Sequence, residues 1–205
     1  MLVIGLIGGI ASGKSFVAAC FQELGAQILN ADQIGHCVLE NSNVIGSIRR
    51  EWPDAVDAKG QVDRKILAEI VFRLPDRGSN LKKLESWTHP LIGQEIDRKL
   101  AELRMAGCQA VVLDAPVLLE AGWNSRCQKL VFIDAPLEQR KSRAFTRGWV
   151  ADELETREGS QLSLQEKRSF ATDFIHNGTS EQETRDQVRA LWLSWGLPSP
   201  DRNQF

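Results

Sequence analysis

Between an apolar run at residues 2–7 and a segment whose apolar positions (Val17, Ala18, Phe21, Leu24) recur with helical spacing, the chain reads Gly8-Gly9-Ile10-Ala11-Ser12-Gly13-Lys14-Ser15. The pattern G-x-x-x-x-G-K-[ST] in that setting commits the stretch to a strand, a tight glycine loop and a helix that begins at the loop. Gly8 and Gly13 let the backbone curl so that successive N–H groups face inward, and the positive end of the helix points at the same spot. Phosphate oxygens are the natural occupants. Lys14 is a compact positive charge within reach of the β- and γ-phosphates of a nucleotide, and the Ser15 hydroxyl is placed to ligate the magnesium ion that bridges them. ATP with Mg2+ is therefore the expected ligand pair, cradled by Gly9, Ile10, Ala11, Ser12, Gly13, Lys14, Ser15 and Phe16. A glycine-rich turn with an incidental lysine explains neither the strand before it nor the helix after it.

The remaining chain extends this start into an α/β pattern. Short apolar runs at 26–29, 110–113 and 130–133 read as buried strands of a parallel sheet, with a brief strand at 174–176. Helical periodicity covers 14–24, 138–149 and 181–195, and two short polar helices fit 152–168. From about residue 33 to 106 the pattern is helical throughout, with His89-Pro90 read as the start of one helix. The expected fold is a P-loop parallel sheet with helices on both faces, a helical substrate-binding insertion and a helical lid. The layout is one kinase-like unit: a core of 1–31, 107–142 and 172–196, an insertion of 32–106 and a lid of 143–171, with residues 198–205 a loose tail.

Two carboxylates stand where strands end. Asp32 follows the second run at the sheet's carboxyl edge and reads either as a general base for a substrate hydroxyl or as the N-cap of a helix from Gln33 onward. Asp114 and Asp134 each close an apolar run and precede Ala-Pro, and Asp114 is the favoured magnesium carboxylate beside Ser15. Arg140, Arg143 and Arg147 fall at i, i+3 and i+7 on one helix face, a concentration of positive charge suited to phosphates. Surface pairing with Glu138, Asp152 and Glu153 is the alternative.

With 25 basic and 27 acidic residues, the chain carries no field to attract nucleic acid. Its four cysteines form no C-x-x-C pair and read as free thiols of a reducing compartment. The apolar opening lacks a basic leader and breaks at Gly8-Gly9, far short of the roughly 20 residues of a membrane span, so a cytoplasmic location without membrane contact is expected.

Taken together, the glycine loop, Asn30-Ala31-Asp32, Gly60-Gln61-Val62-Asp63-Arg64, Ile70-Val71-Phe72, His89-Pro90 and Ala115-Pro116-Val117-Leu118-Leu119-Glu120 resemble the dephospho-CoA kinases. Farther on, Glu138-x-Arg140-x-x-Arg143, Arg147-Gly148-Trp149, Gln161, Glu166-Lys167-Arg168 and Ile175-His176-Asn177-Gly178 resemble that family's lid and adenine-side loop. The resemblance implies ATP-dependent phosphorylation of the ribose 3′-hydroxyl of dephospho-CoA; that small-molecule acceptor is the one expected partner, and a monomer or weak homo-oligomer is expected. It further implies that Asp32 is the base and that Lys14 and Arg143 hold phosphates, Arg143 being the arginine favoured as catalytic; Arg140, Arg147 and Asn177 are the other expected nucleotide-side residues. Arg64, His89, Pro116, Leu118, Leu119 and Glu120 would shape the acceptor pocket. Three positions depart from the family pattern: Phe16 after the P-loop serine, Asn30 in place of an aspartate, and Thr172-Asp173 before the adenine-side loop. Another small-molecule kinase, or a nucleotide-binding regulator without turnover, stays open. A GTPase-like switch is disfavoured because Asp32-Gln33-Ile34-Gly35 has no companion Asn-Lys-x-Asp motif.

Overall fold

The computed structural model describes residues 1–72, 77–146, 148–149, 153–159 and 161–198. Five strands, β1 (Leu2–Gly8), β2 (Gln27–Asn30), β3 (Ala110–Asp114), β4 (Lys129–Asp134) and β5 (Asp173–His176), form one sheet in the order β2-β3-β1-β4-β5. Every pairing is parallel, as the unbroken apolar runs predict. The connection from β1 leads toward β2 and that from β3 leads toward β4, so the two leave in opposite directions. Such a parting opens a crevice at the carboxyl edge, and the glycine loop after β1 stands there.

One face of the sheet packs Ile4, Leu6, Val112, Val131, Ile133 and Ile175 against Val17, Ala18 and Phe21 of α1 (Lys14–Glu23) and Val188 and Trp192 of α9 (Glu181–Ser194). Phe21 is fully buried and stacks on Trp195 with ring centroids 5.7 Å apart, a burial that contributes about 2–3 kcal/mol. The opposite face closes around Gly5, where a Cβ would lie 2.6 Å from Leu118 Cδ2. Between β4 and β5 lie α6 (Leu137–Thr146), α7 (Glu153–Glu158) and α8 (Leu164–Ser169), the last packed beside β1.

The insertion contains α2 (Ala31–Val38), α3 (Ser42–Glu51), α4 (Arg64–Phe72) and α5 (Arg77–Met105), with a 3-10 turn at Pro53–Ala55. The chain divides into two compact units, Ala31–Lys99 and the remainder, with the division falling inside α5. The helical unit has its own buried residues, among them Ile34, Val44, Ile48, Leu67, Val71 and Ile96, and Trp52 lies 5.4 Å from Trp87.

Two local expectations are corrected. His89-Pro90 does not start a helix but lies inside α5, a single helix of 29 residues. Pro90 cannot donate to the carbonyl of Ser86, yet the stripe Leu84, Thr88, Ile92, Ile96, Leu100 runs past it at i+4 steps with Thr88 and the three residues after it buried. Thr88 interrupts that stripe in the sequence, whereas in the fold its hydroxyl donates to Leu84 O at 2.9 Å and is thereby compatible with burial. Asp32 is not an N-cap either, because α2 begins at Ala31 and Asp32 sits in its first turn. No described helix is long and apolar enough to cross a membrane.

Candidate functional site

The glycine loop owes its shape to left-handed backbone at Ala11 (φ 60°) and Gly13 (φ 98°). Gly13 caps α1 without any side-chain hydrogen bond, and the first turn of α1 has no acidic residue, so its N–H groups meet no carboxylate from their own helix. A side chain at Gly13 is excluded twice, by its φ and by Asn177, whose Nδ2 would lie 2.0 Å from an added Cβ. That asparagine is buried and bonded at both ends of its amide: Nδ2 donates to Ser12 O at 2.8 Å, Oδ1 accepts from Thr184 Oγ1 at 3.0 Å, and its main-chain N–H donates to Asp134 O at 2.7 Å. Arg143 Nη1 donates to Ser12 O at 3.1 Å, and its Nη2 to Asn177 O at 3.0 Å and Gln139 Oε1 at 3.3 Å. The structure thus brings Arg143 and Asn177 together at the loop, as struts of its backbone.

Lys14 Nζ donates to Gly8 O at 3.1 Å and Gly9 O at 3.0 Å, folding its ammonium over the loop. Burial, seconded by the charge of Lys167, lowers its pKa to about 8 against the opposing pull of Asp114, Glu120 and Glu158. Ser15 is exposed at the head of α1. Phe16 turns its ring to the core, beneath the Arg185 guanidinium at 5.2 Å, so only its backbone is left to a ligand. Thr172 and Asp173 likewise serve the sheet: Leu130 N–H donates to Thr172 Oγ1 at 3.0 Å, and Asp173 pairs with Lys129 at 3.5 Å.

The segment after α6 reaches the loop through residues that motif reading passes over. Leu154 of α7 packs with Ala11 and Ala144. Glu158 accepts from Ile10 N–H at 3.2 Å and forms an ion pair with Arg140, which is 5% exposed. The surface pairing foreseen for this arginine is a buried one, made with a glutamate that no spacing rule points to. Arg147 lies outside the described residues. Arg140 Nε and Ser12 Oγ are buried without a hydrogen-bond partner, so the loop and its neighbour keep unspent polar groups.

Pro116, Leu118, Leu119 and Glu120 line a small cavity together with Gly8, Lys14 and Lys167. Glu120 Oε1 accepts from Leu162 N–H at 3.0 Å and lies 3.4 Å from Lys167 Nζ. Asp114 ends β3 beside β1 and acts electrostatically on Lys14, whereas the carboxylate of Asp134 lies 3.4 Å from Arg168. A hydroxyl and one carboxylate are hard oxygen donors, the set that suits a magnesium ion retaining waters and phosphate oxygens. Among the described residues no group of three His, Cys, Asp or Glu side chains forms a cage for a metal ion.

The other expected residues belong to the helical unit. Asp32 is exposed, yet neighbouring protein atoms displace enough water to raise its carboxyl pKa, with the charge of His36 opposing. Arg64 opens α4, where Asp63 Oδ1 accepts from Lys65 N–H and Ile66 N–H at 2.9 and 3.1 Å as a side-chain cap. It lines an open cavity with His36, Asp57, Gln61, Val62 and Lys65. His89 is half-buried in α5, where burial lowers its pKa against the pull of Glu85.

Residues 2–183 match the family described as dephospho-CoA kinase. A dephospho-CoA kinase of Symbiobacterium thermophilum is 40% identical over 94% of this chain and 80% of its own length. Among solved structures, a Thermus thermophilus protein is 33% identical with a TM-score of 0.80, covering 95% of this chain and 97% of its own. The dephospho-CoA kinase of Campylobacter jejuni is 28% identical with a TM-score of 0.71, covering 95% and 98%.

Proposed function

The chain belongs to the dephospho-CoA kinase family, and from that premise we propose that it transfers the γ-phosphoryl group of ATP to the ribose 3′-hydroxyl of dephospho-CoA, giving CoA and ADP. The observation that carries the reading is the glycine loop with Lys14 folded over it, locked by Arg143 and Asn177. The backbone of the loop is thus preorganised, and the Lys14 side chain is the group that must move when phosphates arrive.

The N–H groups at the loop's end and the head of α1 bind the phosphate chain, whereas those of Ile10 and Ser12 are engaged by Glu158 and Gly9 O, and Lys14 leaves the carbonyls of Gly8 and Gly9 for phosphate oxygens, regaining there the charge stabilisation that burial withholds. Ser15 and Asp114 would hold magnesium, which when bound neutralises charge on the β- and γ-phosphates. Asp32 accepts the proton of the 3′-hydroxyl; its raised pKa makes it a better base than an ordinary aspartate. The hydroxyl oxygen bonds to the γ-phosphorus while the bond from that phosphorus to the β,γ-bridging oxygen breaks, its electron pair leaving with ADP. Arg143 and Arg140, fixed beside the loop, contribute positive potential to that transfer. Arg64 and His89 from the helical unit, and Pro116 to Glu120 after β3, are the acceptor-side residues.

The test is ADP release from ATP and magnesium in the presence of dephospho-CoA, AMP, shikimate, adenosine or no acceptor. Stimulation by dephospho-CoA alone, with CoA identified by mass spectrometry, is expected. Stimulation by another acceptor would replace the substrate, and nucleotide binding without turnover would replace the enzyme by a regulator.

A further inference from the structure

Lys167 is 4% exposed, a rare condition for a lysine, and no part of the phosphate reading above uses it. It stands on α8, whose start is locked by a reciprocal cap between Ser163 and Glu166, so the helix delivers the side chain from a fixed frame. Nζ donates to Gln161 Oε1 at 2.6 Å and lies 3.4 Å from Glu120 Oε1. Lys167 lines the same small cavity as Gly8 and Lys14. Two buried ammonium groups at one cavity are costly unless anions compensate them. Glu120 is shared compensation, because the same Oε1 also accepts from Leu162 N–H at 3.0 Å. Of the three N–H donors of Lys167, Gln161 and Glu120 engage two, which leaves one for a further acceptor.

We propose that Lys167 is a second phosphate-binding lysine, contacting the γ-phosphoryl group of the bound nucleoside triphosphate from the side of α8 while Lys14 contacts it from the loop. The inference rests on the nucleotide reading of the glycine loop and adds to it a residue that discriminates triphosphate from diphosphate. Gln161 and Glu120 are its positioning residues: they hold the ammonium at the cavity without touching the nucleotide. Product release gains from the arrangement, since ADP lacks the group that Lys167 holds.

The test is calorimetric binding of ATP and of ADP, each with magnesium and without acceptor, to the full chain and to Lys167→Met. The wild type should bind both. K167M should lose about tenfold in ATP affinity, the magnitude of one charge-assisted hydrogen bond, and less than about twofold in ADP affinity. Equal losses for both nucleotides would reduce Lys167 to an anchor of α8, and no loss for either would remove it from the site; each outcome overturns the proposal while leaving the nucleotide reading intact. Binding of neither nucleotide by the wild type would overturn both. If K167M does not fold, Lys167→Arg is examined by the 31P spectrum of bound ATP, where a shift of the γ-phosphorus alone is expected. A spectrum with no shift, or with all three phosphorus signals displaced alike, overturns the assignment.

Discussion

The glycine loop and the helical unit Ala31–Lys99 present recognition groups of opposite kinds. At the loop the groups are mostly main-chain N–H donors, and side chains such as Arg143 and Asn177 are spent on holding the backbone in shape. In the helical unit the candidates are side chains on helices, with Arg64 at an open cavity, His89 half-buried and Asp32 exposed. A main-chain cradle recognises what every nucleoside triphosphate shares, whereas projecting side chains recognise one acceptor. On the proposed reading, donor binding rests on eight consecutive residues, and acceptor choice on side chains of helices far apart in sequence.

The largest blow to that division of labour is Lys14→Met, which removes the one charged side chain of the loop. We expect a loss of about three decades in kcat/KM with both nucleotide affinity and turnover reduced, measured by steady-state assay and direct binding. Full activity in K14M would mean that the backbone cradle acts without its lysine.

Asp32→Asn probes the other side. Turnover should drop by roughly two decades or more while ATP affinity stays unchanged, because the base acts on the acceptor hydroxyl alone. Weakened ATP binding in D32N would erase the separation between donor and acceptor functions.

The lowered Lys14 pKa of about 8 makes the comparison visible without mutation. The free protein needs this group protonated to receive phosphates, and the protonated fraction falls as pH rises through that value. Hence kcat/KM for ATP should decline about tenfold by one pH unit above it. Bound phosphates raise the same pKa, so kcat should hold to higher pH, and a matching decline in both constants would place the titration elsewhere.

A smaller effect separates the acceptor side again. Arg64→Gln should raise KM for dephospho-CoA by roughly fivefold and leave KM for ATP unaltered, as expected for one charge at an open and solvated cavity. A shift in the ATP constant would assign this arginine to the nucleotide instead.

What the sequence discloses follows the same line. The loop, the parallel sheet and the run of helices between β2 and β3 are legible because each depends on local pattern: glycine spacing, short branched apolar runs and helical periodicity. Helix α5 is misread at His89-Pro90 because a proline and a polar Thr88 interrupt the pattern, and only the folded environment shows that Thr88 is satisfied and buried. The pairing of Arg140 with Glu158, and the place of Lys167 beside Lys14, are illegible for another reason. They join residues on separate elements, and no spacing in one dimension encodes them.

Phe16 gives the mildest test and the sharpest separation of scaffold from site. Its ring packs beside the core of the sheet and lies under Arg185, which also pairs with Glu23, while its main chain belongs to the cradle. Phe16→Ser places a small polar side chain at that position and removes the ring without altering the backbone donor. The loss of part-buried apolar area and of the guanidinium contact should cost about 1–2 kcal/mol of stability, read from chemical denaturation. KM for ATP should change by less than about twofold, since the backbone N–H is retained. A large rise in that constant with stability unchanged would show the aromatic ring itself meeting the nucleotide, and the cradle would then recognise through a side chain as the helical unit does.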